Sequence, residues 1–191
     1  MTQKGIVLVS GMTPSTKDIV VATVKHLGGF KLIDKHERKL KPTHVICGDH
    51  RTLAVLQAIL KGSWLLTPQW AMISLEKGKW APEKDFRATE WYPSIKSRQP
   101  GQPLTLWDAN EAVYIGSIAA DQSQNVAELV RMAGGKIVTL PRAADLCLGT
   151  VDNKELQPEE GKKQGPTVVR EKWLYGAHYY FFSFFSSFLC P

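Results

Sequence analysis

Short apolar runs alternate along the chain with segments in which apolar residues recur at helical spacing. The first run, residues 5–10, is rich in β-branched residues and ends at a Gly-Met-Thr-Pro turn signal, which predicts a buried strand. A helix is predicted from Lys17 to Leu27 because its apolar residues share one face. The glycine pair at 28–29 is expected to end this helix in the left-handed conformation.

The same alternation continues through the first 80 residues. Further strands are predicted at residues 30–33, 43–47 and 63–66. One helix is predicted at residues 51–60 with Asp49 as its cap, and another from Pro68 to Gly78 with Thr67 as its cap. Strands that alternate with helices predict a parallel sheet flanked by helices, which is an α/β fold.

The order of elements then returns in the second half of the chain. Gly28 and Gly134 are 106 positions apart, as are the strand residues Val7 and Val113. A helix is predicted at residues 125–133, whereas a polar loop at 151–165 replaces the helix predicted at 51–60. We therefore predict two small units. Their boundaries are residues 1–92 for the first, 93–110 for a Pro-rich linker, 111–176 for an incomplete second unit and 177–191 for an atypical aromatic tail.

Charge favours an anionic partner. The chain has 24 basic and 18 acidic residues, a net charge of +6. Residues 1–100 hold 16 basic and 8 acidic side chains, and residues 101–191 hold 8 and 10, so the positive charge lies in the first unit.

Three cysteines without a repeating spacing predict a reducing compartment rather than a disulfide framework. The N-terminus lacks a signal-peptide pattern, and the aromatic tail is too short to span a membrane, so no membrane association is expected.

Metal and enzyme sites are disfavoured by the sequence. His44, Cys47 and His50 have a superficial ligand spacing, but on a strand His44 and Cys47 would face opposite sides, and a fourth ligand is missing. The chain has no nucleophile elbow, phosphate-binding P-loop or dinucleotide fingerprint. We therefore expect no metal, no cofactor and no catalysis. An enzyme of flavodoxin-like layout remains a third alternative.

Each half resembles a BRCT domain. The shared features are an apolar first strand, a helix ending in Gly-Gly, a strand reading Thr43-His44-Val45-Ile46, and a closing helix led by Trp70 in the first copy and Trp173 in the second. The resemblance implies two BRCT-type units, each a small parallel four-stranded sheet flanked by helices. The second copy departs from the family pattern after Leu174.

A phosphate site is predicted where the first strand ends. Ser10 provides a hydroxyl donor and Gly11 an amide that no Cβ shields, while Arg51, placed in the first turn of its helix, is best explained if an anion completes the site. The alternative interpretation is an ordinary Ser-Gly turn and a solvated arginine. In tandem BRCT families that bind phosphoserine, the resemblance implies phosphate binding by Ser10, Gly11 and Arg51. The lysine common in the family falls on Ala54.

The resemblance further implies a peptide groove between the repeats, formed by Leu56, Leu129 and Tyr175, although each could equally be a core residue. It implies a monomeric, nuclear reader of phosphorylated protein tails, acting in DNA-damage signalling and chromosome condensation. The phosphorylated tail of a damage-marking histone variant is the expected ligand. The main alternative is a phosphate-independent scaffold or a DNA-contacting module, because the basic loop at residues 35–41 could bind nucleic acid as a secondary partner.

Overall fold

The computed structural model describes residues 4–34, 37, 41–50, 52–89, 100–108, 111–157, 165–170 and 174. Its contacts divide the chain into two compact units, residues 1–103 and 104–191. The division falls inside the segment predicted as a linker. The two units are described separately below.

The first unit is a parallel sheet flanked by helices. Its strands are β1 (Gly5–Ser10), β2 (Phe30–Ile33), β3 (His44–Cys47) and β4 (Trp64–Leu66), and its helices are α1 (Pro14–Leu27), α2 (Leu53–Lys61) and α3 (Gln69–Glu76). The strand order is β2-β1-β3-β4, and all neighbours pair in parallel. The predicted four-stranded parallel sheet is therefore confirmed. Because the sheet is parallel, the carboxyl ends of β1 and β3 lie at the same edge.

A cluster of apolar and aromatic residues forms the core between the sheet and the α1–α3 layer. Val7, Val20 and Trp70 are all fully buried in it. The Trp70 ring stacks on Trp80, with ring centroids 4.5 Å apart, and its indole N–H donates to the Ala81 carbonyl over 2.9 Å. The tryptophan of the closing helix thus anchors the first unit and holds the sheet against its helices.

Helix starts differ from the predictions because the capping residues were assigned incorrectly. Helix α1 begins at Pro14 rather than Lys17, since the hydroxyl of Thr13 accepts from the helix amide of Thr16. Helix α2 begins at Leu53 with Thr52 as its N-cap, so the prediction that Asp49 caps a helix from Arg51 is wrong. Thr67 makes no side-chain cap for α3, where Pro68 holds the cap position.

The second unit repeats the sheet with fewer helical elements described. Its strands are β5 (Ala112–Ile115), β6 (Lys136–Val138), β7 (Leu146–Leu148) and β8 (Thr167–Val169), and its helix is α4 (Ala120–Met132). The order β6-β5-β7-β8, again parallel, matches that of the first unit. Helix α4 begins before the predicted residue 125, and β8 was not predicted. The predicted tail at 177–191 lies outside the described residues.

None of the helices in the described ranges has the length and apolar character needed to cross a bilayer.

Candidate functional site

The predicted phosphate-binding residues lie where β1 ends at the carboxyl edge of the first sheet. Gly11 directly follows the strand and has a positive φ of 68°. A Cβ at this position would overlap the main-chain oxygen of His50, whose amide in turn donates to the Gly11 carbonyl over 3.1 Å. The turn therefore requires glycine for two reasons, its left-handed backbone and the close approach of the β3–α2 loop.

The side chain of Ser10 lies against the start of α2. Its Oγ shares a 2.9 Å hydrogen bond with Oγ1 of Thr52, the N-cap residue of that helix. The same Thr52 hydroxyl accepts from the amide of Val55 over 3.4 Å. The first turn of α2 contains no acidic residue. The Ser10 hydroxyl thus lies at the positive end of a helix dipole, beside amides that lack an intrahelical acceptor.

Two cavities border this edge of the sheet, and Ser10 lines both. The larger, about 590 Å³, lies on the α1 side and is lined in part by Gly11, Lys17 and the acidic pair Asp34 and Glu37. The smaller, about 250 Å³, runs along α2 from Thr52 to Lys61 and is bordered by the same acidic pair. Ser10 is therefore exposed to ligands from two directions, in surroundings of mixed charge.

The acidic pair is held by local contacts. Glu37 Oε2 accepts from the Asp34 amide over 2.9 Å, and Glu37 Oε1 lies 3.9 Å from Lys31 Nζ. These contacts fix the Glu37 carboxylate beside the cavities, and the neighbouring lysine offsets part of its charge. Carboxylates at this position disfavour a bound anion, and a cation in the same cavity would favour it.

Arg51, the third predicted phosphate ligand, lies outside the described residues. Because α2 begins at Leu53 and Thr52 is its N-cap, Arg51 precedes the helix instead of occupying its first turn. The prediction that Arg51 opposes the helix dipole from the first turn is therefore wrong. The sequence position still places Arg51 next to Thr52, whose hydroxyl contacts Ser10.

The corresponding edge of the second unit is closed by main-chain hydrogen bonds. Here the order of residues is reversed, with Gly116 followed by Ser117. The Gly116 amide donates to the Leu148 carbonyl over 2.8 Å, and the Ser117 amide donates to the Thr150 carbonyl over 2.9 Å. These amides have acceptors within the fold, so the second edge offers a poorer anion site than the first.

The predicted groove residues are buried or outside the described part of the chain. Leu56 is 2% exposed and Leu129 is fully buried. Tyr175 is outside the described residues. The assignment of these three residues to a peptide groove remains a prediction.

The residues considered as metal ligands have other contacts. His44 is buried, its Nδ1 lies 2.7 Å from Thr43 Oγ1, and its Nε2 faces Glu83 at 3.6 Å. Burial lowers the pKa of His44, while the nearby Glu83 carboxylate acts in the opposite direction. Cys47 Sγ contacts the Leu66 carbonyl oxygen at 3.5 Å. Within the described ranges, no group of three His, Cys, Asp or Glu side chains could hold a metal ion.

The chain is similar in sequence and in fold to known proteins. No family model matches the sequence. Mouse microcephalin is 31% identical over 177 residues, which cover 87% of this chain and 20% of that protein. The BRCT5-BRCT6 domains of Brc1 from S. pombe superpose with a TM-score of 0.50 at 22% identity, over 71% of this chain and 66% of theirs. The chain has the fold of a tandem BRCT pair and is similar in sequence to microcephalin.

A second BRCT-type structure agrees in fold over more of the chain. Yeast Rtt107p, solved in a complex with a phosphorylated histone, superposes with a TM-score of 0.58 over 93% of this chain and 87% of that one, at 12% identity. The chain spans about a fifth of the length of the microcephalin proteins that it matches. The two four-stranded units accordingly share the fold of BRCT repeats.

Sequence reasoning missed two residues of the first BRCT repeat that border the candidate site. Thr52 was overlooked because Asp49 was assigned as the cap, although a threonine directly before the apolar run Leu53–Leu56 is itself a strong capping signal. Lys17 was read as the start of a helix. Its position in the cavity depends on how α1 returns over the end of β1, which local sequence patterns do not reveal.

Proposed function

We propose that this chain is a non-catalytic module that binds phosphoserine-containing peptides at the Ser10 edge of its first BRCT repeat. The observation that carries the proposal is the 2.9 Å hydrogen bond between Ser10 Oγ and the N-cap hydroxyl of Thr52. The bond joins the Ser10 hydroxyl to the N-cap residue of α2, and Gly11 follows Ser10 directly in the chain. A hydroxyl, a glycine amide and a helix N-terminus are the donors that a phosphate dianion requires.

Each group has a distinct role in the proposal. Ser10 Oγ and the Gly11 amide donate to the phosphate oxygens, and Thr52 orients Ser10 while capping α2. Arg51 contributes positive charge and contacts the peptide backbone. The resemblance assigns Leu56, Leu129 and Tyr175 to the part of the module that would receive a downstream peptide side chain.

The distribution of charge and the relatives support this proposal. The first 100 residues hold 16 basic and 8 acidic side chains, so the repeat that contains Ser10 attracts anions. Rtt107p, which shares the fold, was solved with a phosphorylated histone. We propose the phosphorylated tail of a damage-marking histone variant as the ligand. The relation to microcephalin favours a nuclear setting in DNA-damage signalling and chromosome condensation.

A phosphate-independent scaffold or a DNA-contacting module is the second candidate. It is favoured by Ala54, which replaces the lysine common in phosphate-binding relatives, and by the acidic pair Asp34 and Glu37 beside the cavities. The net positive charge of the first repeat would serve contacts with DNA phosphates as well.

Titration of fluorescent histone-tail peptides, phosphorylated and unphosphorylated on one serine, separates the two candidates. We expect the phosphorylated peptide to bind at least about tenfold more tightly, and Ser10→Ala or Arg51→Glu to remove most of that difference. Ser117→Ala, at the corresponding edge of the second repeat, is the matched control and should bind like the wild type. Equal affinity for both peptides would refute the phosphate-reading function. A steep salt dependence of duplex DNA binding that Ser10→Ala leaves unchanged would instead support the second candidate.

A further inference from the structure

Lys17 lies in the first turn of α1, on the opposite side of the Ser10 edge from α2. Resting on the proposed function, we propose that Lys17 supplies the cation that balances the bound phosphate, in place of the lysine missing at Ala54. The proposal assigns a specificity residue to an element that the sequence-based prediction did not connect with the site.

The cavity geometry places Lys17 with the predicted phosphate donors. Lys17 lines the cavity of about 590 Å³ together with Ser10 and Gly11. Among the described residues that line this cavity, Lys17 is the only basic one. Ala54 lines the second cavity instead and carries no charge. A phosphate bound at the Gly11 amide from the larger cavity would therefore share that cavity with Lys17.

The local structure leaves the Lys17 side chain accessible to a bound anion. Its amide donates to the carbonyl of the N-cap residue Thr13 over 2.9 Å, which fixes its backbone at the start of α1. Its side chain is exposed, and within the described part of the chain no carboxylate forms an ion pair with it. A positive side chain in a first turn opposes the helix dipole, so an anion bound beside Lys17 would relieve an unfavourable interaction.

The acidic pair makes a cation in this cavity more useful. Asp34 and Glu37 line the same cavity as Lys17, and Glu37 Oε1 lies 3.9 Å from Lys31 Nζ. Carboxylates beside a phosphate site lower the affinity for the dianion, and a cation in the same cavity has the opposite effect. Lys17 is placed to provide that charge and to discriminate a phosphorylated serine from an unphosphorylated one.

The test compares phosphorylated and unphosphorylated peptides on four proteins. These are the wild type, Lys17→Ala, the double variant Lys17→Ala/Ala54→Lys, and the control Lys25→Ala, which removes an exposed lysine from the last turn of the same helix. We expect Lys17→Ala to weaken phosphopeptide binding about three- to tenfold and to leave the unphosphorylated peptide unaffected. Lys25→Ala should match the wild type, and the added lysine at residue 54 should restore affinity.

Three results would overturn the proposal, and they differ in whether the proposed function also fails. If Ser10→Ala abolishes phosphate discrimination while Lys17→Ala leaves it unchanged, the role of Lys17 is refuted and the proposed function stands. If the wild type does not discriminate between the peptides at all, both fail together. Equal losses of phosphopeptide affinity from Lys17→Ala and Lys25→Ala would also refute the role of Lys17, because they would indicate a general effect of net charge.

Discussion

Replacing Thr52 by valine tests the contact on which the site is built. The substitution keeps the shape of the side chain and removes its hydroxyl. Two interactions are lost, namely the 2.9 Å hydrogen bond to Ser10 Oγ and the 3.4 Å cap of the Val55 amide. Both involve a half-buried residue, so neither is replaced completely by water.

The expected decrease in the free energy of unfolding can be worked out from these two contacts. A partly buried hydrogen bond between neutral groups contributes about 1 kcal/mol. The cap bond is long, which places it at the lower end of the capping range, about 0.5 kcal/mol. We therefore expect Thr52→Val to lower the free energy of unfolding by about 1–2 kcal/mol. Because Ser10 also loses its orienting partner, phosphopeptide affinity should fall by about tenfold.

Urea unfolding followed by tryptophan fluorescence measures the first effect, and peptide titration at a temperature where the variant is folded measures the second. Thr52→Ser is the matched control because it retains the hydroxyl and should keep most of both properties. The reasoning would be refuted if Thr52→Val unfolded and bound phosphopeptide like the wild type, or if Thr52→Ser lost affinity as fully as Thr52→Val.

Three further predictions concern the first repeat. Gly11→Ala should destabilise it by about 1–3 kcal/mol in urea unfolding, since the residue has a φ of 68° and a Cβ would overlap a main-chain oxygen; wild-type stability would contradict this. Ser74→Ala should cost about 1–3 kcal/mol by thermal unfolding, because the buried Ser74 hydroxyl accepts from the Ala81 amide over 2.9 Å; a loss below about 0.3 kcal/mol would speak against it. His44 should titrate below 6.5 by NMR, because burial lowers its pKa. The free energy of unfolding should therefore decrease as the pH falls below 6.5, since the unfolded chain then binds a proton that the folded chain does not. Glu83→Gln should lower the pKa of His44 further, and a His44 pKa above 6.5 would contradict this account.

The sequence predicted the sheets well because their signals are local. Apolar runs such as Gly5–Ser10, bounded by turn residues, identify buried strands, and the constant spacing between the two glycine pairs identified the repeat. Both four-stranded parallel sheets are present in the structure. In the second unit only the strand around Val113 is predicted by position. The strands β6, β7 and β8 are three residues each, and β8 (Thr167–Val169) has two exposed side chains, so these short runs give no periodic signal.

The helix starts and the surroundings of Ser10 were harder to predict. Asp49 and Thr52 are both residue types that cap helices, and the structure shows that Thr52, which directly precedes the apolar run, is the cap. The contact between Ser10 and Thr52 joins residues 42 positions apart, and no local pattern encodes it. Lys17 lines the same cavity as Ser10 and Gly11, which only the folded structure shows.

The most direct test of the central claim is an amide NMR titration of the protein with a phosphoserine peptide and with its unphosphorylated counterpart. The account predicts that the phosphorylated peptide shifts the Gly11 amide and the first-turn amides of α2 most strongly. The corresponding amides of Gly116 and Ser117, which already donate to main-chain carbonyls, should shift little. Equal shifts with both peptides, or phosphate-dependent shifts confined to residues away from Gly11 and α2, would contradict the account.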